Sequence, residues 1–250
     1  MGRSRTSVIL ASLLVAGVVV TTILLGQWQL RRHREVREVD ARIEARLEEP
    51  AVALSDLPGL SDADDHRLIT TTGTWDVVNE VVIRNRSRNG VNGNLVVTPL
   101  LVDDGTALLV ARGWVPPDHD VAPITAATPP AGVVTVTARL RHSEPQPGFG
   151  ATDPGTDQPT ELRAFFNLDV TLIGNHLDLD VLALWASLET QQPTTDDTVL
   201  RALDPVELTG GPHLSYAFQW FGIAVAALGS FGAWLWRGRR QVGERDHVAA

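Results

Sequence analysis

The sequence predicts an α+β membrane protein: two transmembrane helices, one N-terminal and one C-terminal, flanking an extracytoplasmic antiparallel β-rich domain with a few helices. Three observations predict it. Val8–Leu25 is an apolar run interrupted only by Ser12, Gly17, Thr21 and Thr22. Tyr216–Trp236 is a second such run and carries no charge. Between them stand short segments rich in Val, Ile and Thr, with hairpin turn signals. A hydrocarbon core about 30 Å thick takes roughly 20 helical residues, so both runs are long enough to span it. The predicted organisation is an N-tail over 1–7, a first span over 8–28, the domain over 29–212, a second span over 213–236 and a C-tail over 237–250.

The first span reads as an uncleaved anchor. Arg3 and Arg5 form a basic start, but the apolar stretch exceeds a signal-peptide core and no A-x-A site follows it. Orientation is balanced on arginine counts. Arg3, Arg5, Arg237, Arg239, Arg240 and Arg245 flank the terminal side, against Arg31, Arg32, Arg34, Arg37, Arg42 and Arg46 on the domain side. The second span tips the balance under the positive-inside rule. Its domain flank has no arginine from Ala202 onward, whereas its tail reads Arg237-Gly238-Arg239-Arg240. Both termini are therefore placed in the cytoplasm, and the protein in the cell membrane as a multi-pass protein.

After the first span, Leu30, Val36, Val39, Ile43 and Leu47 recur at near-helical spacing, with Arg31/Glu35 and Arg34/Glu38 as i,i+4 pairs. This predicts a helix running out of the membrane to about Glu49, where Pro50 stops it. The period then changes. Leu68–Trp75, Glu80–Arg84, Leu95–Val102, Thr106–Arg112, Val133–Leu140 and Leu162–Phe166 read as strands. Asp103-Asp104-Gly105 reads as the turn of a hairpin. Asp169–His176 reads as a short helix, and Leu179–Leu188 suits either a strand or a helix. Pro116–Pro130 and Ser143–Thr160 are rich in breakers and read as loops.

Composition excludes several chemistries. From Leu47 to Ser215 there are 9 arginines against 24 aspartates and glutamates, an excess of 15 negative charges. Such a domain repels phosphates, so nucleic acid is excluded as a partner. No cysteine is present, which removes disulfides, thiolate metal sites and thioether-linked haem. No lysine is present either, which removes Schiff-base chemistry and a lysine-bearing phosphate loop. The chain lacks a G-x-S-x-G elbow and an H-E-x-x-H motif, and its seven histidines are scattered without an i,i+4 pair. The reading is a protein that is not an enzyme. Asp62, Asp64 and Asp65 are too few for a calcium loop and read as an acidic turn.

Two segments could carry binding. In Arg112-Gly113-Trp114-Val115-Pro116, glycine lets the chain bend, tryptophan covers a sheet edge and proline ends pairing. The alternative is that Arg112, beside Trp114, holds a carboxylate such as a haem propionate. The second segment starts at Gly210-Gly211-Pro212, which breaks the chain and starts a helix at His213. Trp220 lies seven residues on, about 10 Å deeper on nearly the same face, with Tyr216 between. Gly222, Ala226, Gly229 and Ala233 form a small-residue stripe roughly opposite them. Such stripes let membrane helices approach closely. The expectation is that the stripe packs on the first span and leaves His213 and Trp220 facing elsewhere. An imidazole can ligate haem iron and an aromatic ring can cover a porphyrin; the alternative is an aromatic interfacial belt with one histidine.

Five segments together resemble the Surfeit locus protein 1 family, called Shy in yeast. They are Leu25-Gly26-Gln27-Trp28-Gln29-Leu30-Arg31-Arg32, Gly73-Thr74-Trp75, Asn94-Leu95-Val96-Val97-Thr98-Pro99-Leu100, Leu109-Val110-Ala111-Arg112-Gly113-Trp114-Val115-Pro116 and His213-Leu214-Ser215-Tyr216-Ala217-Phe218-Gln219-Trp220. They resemble the family's L-G-x-W-Q-x-x-R, G-x-aromatic, V-x-T-P-L, L-V-N-R-G-W-V-P and H-x-x-Y-A-x-x-W motifs, in the family's order and along the whole chain. Departures are Ala111 for the usual Asn, and Glu35 and Glu38 where many members carry an aromatic residue and Lys.

The resemblance implies an assembly factor for haem-copper cytochrome c oxidase. It implies transient haem a binding and help in inserting that haem into the oxidase catalytic subunit, with haem a synthase as a further partner. It also implies two spans and an extracytoplasmic domain. His213 would be the iron ligand, Trp220 would lie near the macrocycle, and Tyr216, Arg112 and Trp114 complete the expected cofactor-binding set. The alternative is a membrane scaffold that stabilises an oxidase assembly intermediate without touching haem. The short tail after Trp236 leaves no room for an output domain, which argues against a sensor.

Overall fold

The computed structural model describes residues 4–57, 59–102, 105–147, 153, 163–195, 199–206, 208 and 210–248. It forms two units: the helices with their flanking residues (1–44 and 207–250), and the β domain (45–206).

In the helical unit, α1 runs unbroken over Arg5–Leu47, as its periodicity predicts, and α3 over His213–Val248. By length and composition, α1 and His213–Gly238 of α3 are each long and apolar enough to cross a membrane. In α1 the shielded positions include Val8, Ser12, Val15, Val19, Thr22, Gly26 and Gln29, spaced alternately by four and three. In α3 they include His213, Ala217, Trp220, Ala224, Ala227, Phe231 and Trp234, with the same spacing. A four-three alternation of shielded positions on both helices is the pattern of two helices packed along one line. Gly26 sits at its tightest point, where a Cβ would lie 2.6 Å from the Phe221 ring. Thr22 and Ser12 return their hydroxyls to helix carbonyls four residues back, at 2.9 Å each, so neither leaves an unsatisfied donor in an apolar setting.

This seam corrects the expectation for the small-residue stripe. A Cβ at Gly222 or Gly229 would meet nothing within 4 Å, and Ala226 and Ala233 are exposed. The stripe is open, and it is the His213–Trp220 face that packs on α1. Bulky Phe221 is accommodated by Gly26 on α1, and the small residues of α3 that lie on the seam are Ala217, Ala224 and Ala227 rather than the stripe.

The domain consists of β1 (Val52–Ala53), β2 (Leu68–Trp75), β3 (Val81–Arg88), β4 (Val91–Leu101), β5 (Ala107–Val115), β6 (Val133–Arg141), β7 (Ala164–Phe165), α2 (Val170–Leu177) and β8 (Trp185–Gln192). The sheet order is β1-β2-β6-β8-β5-β4-β3-β7, and β2 also pairs with β4. That extra pairing, Thr74 with Leu101 and Trp75 with Leu100, closes β2-β6-β8-β5-β4 into a five-stranded barrel. The barrel is mostly antiparallel, with β5–β8 parallel; the flanking pairs β1–β2 and β3–β7 are parallel too.

Gly73 makes the closure possible. A Cβ there would stand 2.4 Å from the Leu101 carbonyl oxygen, so only glycine lets β4 come so close. Alternate residues of the five strands fill the interior: Ile69, Trp75, Leu100, Leu108, Val110, Val134, Val136, Ala138, Leu140 and Ala186. A second core forms on the outer face, where Ile173 and Val170 of α2 cover Val81, Val97, Leu109 and Phe165. Asp169 caps α2 by accepting from Thr171 N and Leu172 N, both at 3.1 Å. The proline-rich 116–130 segment is a cover as well as a connection: its Ala122, Ile124 and Ala127 are buried against Val82, Val96 and Val115.

Every predicted strand in the described residues is present. The ambiguous 179–188 stretch resolves into an irregular approach to β8, which begins at Trp185. β3 and β4 extend four residues further than predicted toward a hairpin at Asn89-Gly90. Asn89 and Gly90 have φ of 50° and 77°, the two left-handed residues of a tight hairpin turn. That turn signal is in the sequence and was missed there. The Asp103-Asp104 turn, Leu162 and most of the Ser143–Thr160 loop lie outside the described residues.

Candidate functional site

Of the five predicted site residues, three stand on α3 and two on β5. The structure brings His213, Tyr216 and Trp220 together within two helical turns. His213 is the first residue of α3 and half-buried. The chain reaches it through Gly211, whose φ of +60° a side chain would strain. A Cβ at Gly211 would also lie 3.2 Å from His213 Nε2, so the glycine keeps that nitrogen uncrowded. The other ring nitrogen, Nδ1, lies 2.9 Å from Gln29 Oε1 on α1. Nε2 makes no hydrogen bond among the described residues. Trp220 is half-buried on the same seam, while Tyr216 is 46% exposed on a neighbouring face.

In the sequence Gln29 stands only as the glutamine of the L-G-x-W-Q-x-x-R motif, with no site role attached. The four-three spacing puts Gln29 on the same face of α1 as Thr22 and Gly26, and only the helix pairing sets it against His213.

Arg112 stands in a buried network. It is the extra residue of a β-bulge, because Val96 pairs with Gly113 and Val97 with Ala111. Its guanidinium is buried and paired with a carboxylate. Nε donates to Thr98 Oγ1 at 2.7 Å, and Nη2 donates to Glu80 Oε2 at 2.8 Å and to the Ala127 carbonyl at 2.7 Å. Glu80 Oε2 also accepts from Thr98, and Oε1 from Ile124 N, both at 2.7 Å. This network ties β3, β4 and β5 to the covering segment. With its side chain 1% exposed and its charge already met by Glu80, Arg112 stands in the structure as a tie within the barrel wall.

Trp114 is also anchored. Its indole N–H donates to the Arg86 carbonyl at 2.7 Å, and its ring lies on Gly93, where a Cβ would stand 2.3 Å away. One side of Trp114 lines a cavity of about 620 Å³ shared with Trp185, Arg86, Arg88, Arg139 and Arg141. Arg86, Arg88 and Arg139 are each paired there with a carboxylate, of Glu144, Asp204 and Glu189 respectively. The acidic turn holds an Asp62–Asp64 3₁₀ turn boxed by Ser61. Among the described residues, no group of three His, Asp or Glu side chains is arranged to hold a metal ion.

With this geometry in place, comparison with known proteins decides the relationship. A family model described as the SURF1 family matches residues 16–225, which takes in the latter part of the first span, the whole barrel and the start of α3. The chain belongs to the SURF1 family. An uncharacterized SURF1-like protein of Mycobacterium tuberculosis is 29% identical over 241 residues, covering 93% of this chain and 85% of that protein. A SURF1-like protein of Monosiga brevicollis is likewise 29% identical, covering 93% of this chain and 89% of its own length. The Saccharomyces cerevisiae protein named cytochrome oxidase assembly protein SHY1 is 30% identical over 113 residues, which is 44% of this chain and 29% of that one. The resemblance read from the five motifs is thus established at the level of the family.

Proposed function

We propose that this chain is a membrane-anchored assembly factor for haem-copper cytochrome c oxidase that binds haem a transiently and aids its insertion into the catalytic subunit. Membership of the SURF1 family, and similarity to a yeast protein named for oxidase assembly, support the assembly role. The observation that carries the haem reading is the arrangement at the head of α3. A half-buried imidazole has one nitrogen held and the other uncrowded beside a glycine, with a tryptophan two turns deeper on the same seam. These residues fit the cargo. His213 would supply the axial ligand through Nε2, and the part of Trp220 not covered by α1 would border the macrocycle together with the exposed Tyr216. The role asks for no bond-making chemistry: the protein binds, orients and releases. Both spans cross the cell membrane in this reading, with the termini cytoplasmic and the β domain extracytoplasmic. The oxidase catalytic subunit is the recipient, and haem a synthase the source.

The test is purification of the chain from cells that also make haem a synthase, followed by pigment analysis. Wild type should carry haem a. His213→Ala should lose most of it, and Trp220→Ala should lose less, because Trp220 removes packing rather than a bond to iron. His119→Ala, in the β domain, should change nothing. Wild-type pigment in His213→Ala would sink the site. In a deletion strain lacking any second copy, oxidase activity should fall while upstream respiratory complexes keep theirs.

A second reading, a scaffold that stabilises an oxidase intermediate without haem, draws on the open stripe at Gly222, Ala226, Gly229 and Ala233. A small-residue face on a membrane helix suits close packing by another helix. Absence of pigment from wild type, together with loss of oxidase on Gly222→Leu, would favour it.

A further inference from the structure

We infer that Gln29 is a positioning residue for His213: it fixes the imidazole as the Nδ1–H tautomer and so presents the Nε2 lone pair as the ligand. The inference rests on the haem reading above for its purpose, but the contact and the tautomer are properties of the chain without any ligand.

Three observations carry it. The atom of Gln29 turned to the ring is the amide oxygen, an acceptor only, at 2.9 Å from Nδ1. A neutral imidazole carries one proton, so an acceptor on Nδ1 draws that proton to Nδ1 and leaves Nε2 bare. Second, Gly211 keeps the space beside Nε2 clear, since even a methyl group there would stand 3.2 Å away. Third, the two residues come from the two helices of one seam. Gln29 lies one heptad beyond Thr22, and His213 opens the facing series. The Gly26–Phe221 contact one turn away sets how closely the helices approach. A hydrogen bond across that seam costs the ring its rotation, so the ligand nitrogen keeps one direction. In metal sites, a partner on the far nitrogen of a histidine sets tautomer and orientation and raises ligand basicity, and its loss typically costs 10- to 100-fold in affinity.

The same contact assigns a use to the tightest point of the helix pair. Were α1 and α3 to separate, Gln29 would leave Nδ1, the tautomer bias would vanish, and the ligand would weaken. Helix pairing and ligand strength are therefore one variable.

The experiment uses the full chain in detergent micelles, without haem, labelled with ¹⁵N-histidine. The His213 signals are assigned by their absence in His213→Gln. Wild type is expected to show the Nδ1–H form. Gln29→Leu should give a mixture dominated by the other tautomer, and Gln29→Glu, which keeps an acceptor oxygen, should restore Nδ1–H. With ferric protoporphyrin IX as the probe, Gln29→Leu should bind about 10- to 100-fold more weakly, with Gln29→Glu near wild type. An Nε2–H signal in wild type, or a tautomer and affinity untouched by Gln29→Leu, overturns the inference. If the tautomer behaves as expected but wild type binds no porphyrin, the positioning contact stands and the haem reading falls.

Discussion

Arg112 Nη2 donates to Glu80 Oε2 at 2.8 Å, and each side chain is only 1% exposed. A buried ion pair is weak evidence of net stabilisation, because both charges lose their hydration. Breaking it is another matter: an uncompensated buried charge costs about 3–5 kcal/mol. Arg112→Met should therefore lower the unfolding midpoint of the β domain sharply, read by tryptophan fluorescence in denaturant. Arg112→Met with Glu80→Gln should cost less than Arg112→Met alone, because the amide still accepts from Ile124 N and no charge is stranded. A double variant less stable than Arg112→Met alone would show that the charge is not the source of the penalty.

Acid should weaken the β domain through His66. Burial is the largest influence and lowers its pKa; Asp65 opposes this, while Arg141, Arg139 and His142 add to it. The folded value thus lies below the unfolded value of 6.5. Between the two, the unfolded chain holds more protons, so stability rises with pH and is complete above 6.5. It is lost as pH falls below 6.5 toward the folded value. Denaturant midpoints taken from pH 7 down to pH 5 should fall, and His66→Asn should flatten the fall. Asparagine suits the left-handed backbone here, where φ is +64°. An unchanged slope in His66→Asn would assign the acid sensitivity elsewhere.

Substitution at Gly26 should force the helices apart, whereas the open stripe should tolerate bulk. Gly26→Val meets the Phe221 ring and should cost about 1–3 kcal/mol of overpacking. Spin labels at Ser4 and Arg237, read by pulsed EPR, should show a longer or broader distance. Adding Phe221→Ala should restore it. Gly229→Val should leave it unchanged, since nothing lies within 4 Å of that position.

Topology can be read in this cysteine-free chain with single cysteines. In intact cells, a membrane-impermeant thiol reagent should label Cys at Val121, which is 73% exposed in the β domain, and not Cys at Ser4. The reverse pattern would place the domain in the cytoplasm.

Local pattern and side-chain chemistry determined much of this protein from the sequence alone. Apolar runs set the two long helices, the switch to short segments rich in Thr, Ile and Val set β2 and β6, and Asp169 set the start of α2, because each is a preference of neighbouring residues. The Asn89-Gly90 turn was equally local and legible. Other features needed the tertiary structure, because they depend on residues distant in sequence. Gly73 reads as an unremarkable strand glycine until β4 passes 2.4 Å from where its Cβ would be and closes the barrel. Arg112 beside Trp114 suits ligand capture or burial equally well until Glu80, Thr98 and Ala127 converge on it. The face of α3 that meets α1 was misread, because a small-residue stripe permits close packing but does not compel it. The glycine that admits Phe221 lies on the other helix, 195 positions earlier in the chain. Gln29 gained its role only when that pairing set it against His213, a relation that spacing within either helix does not contain.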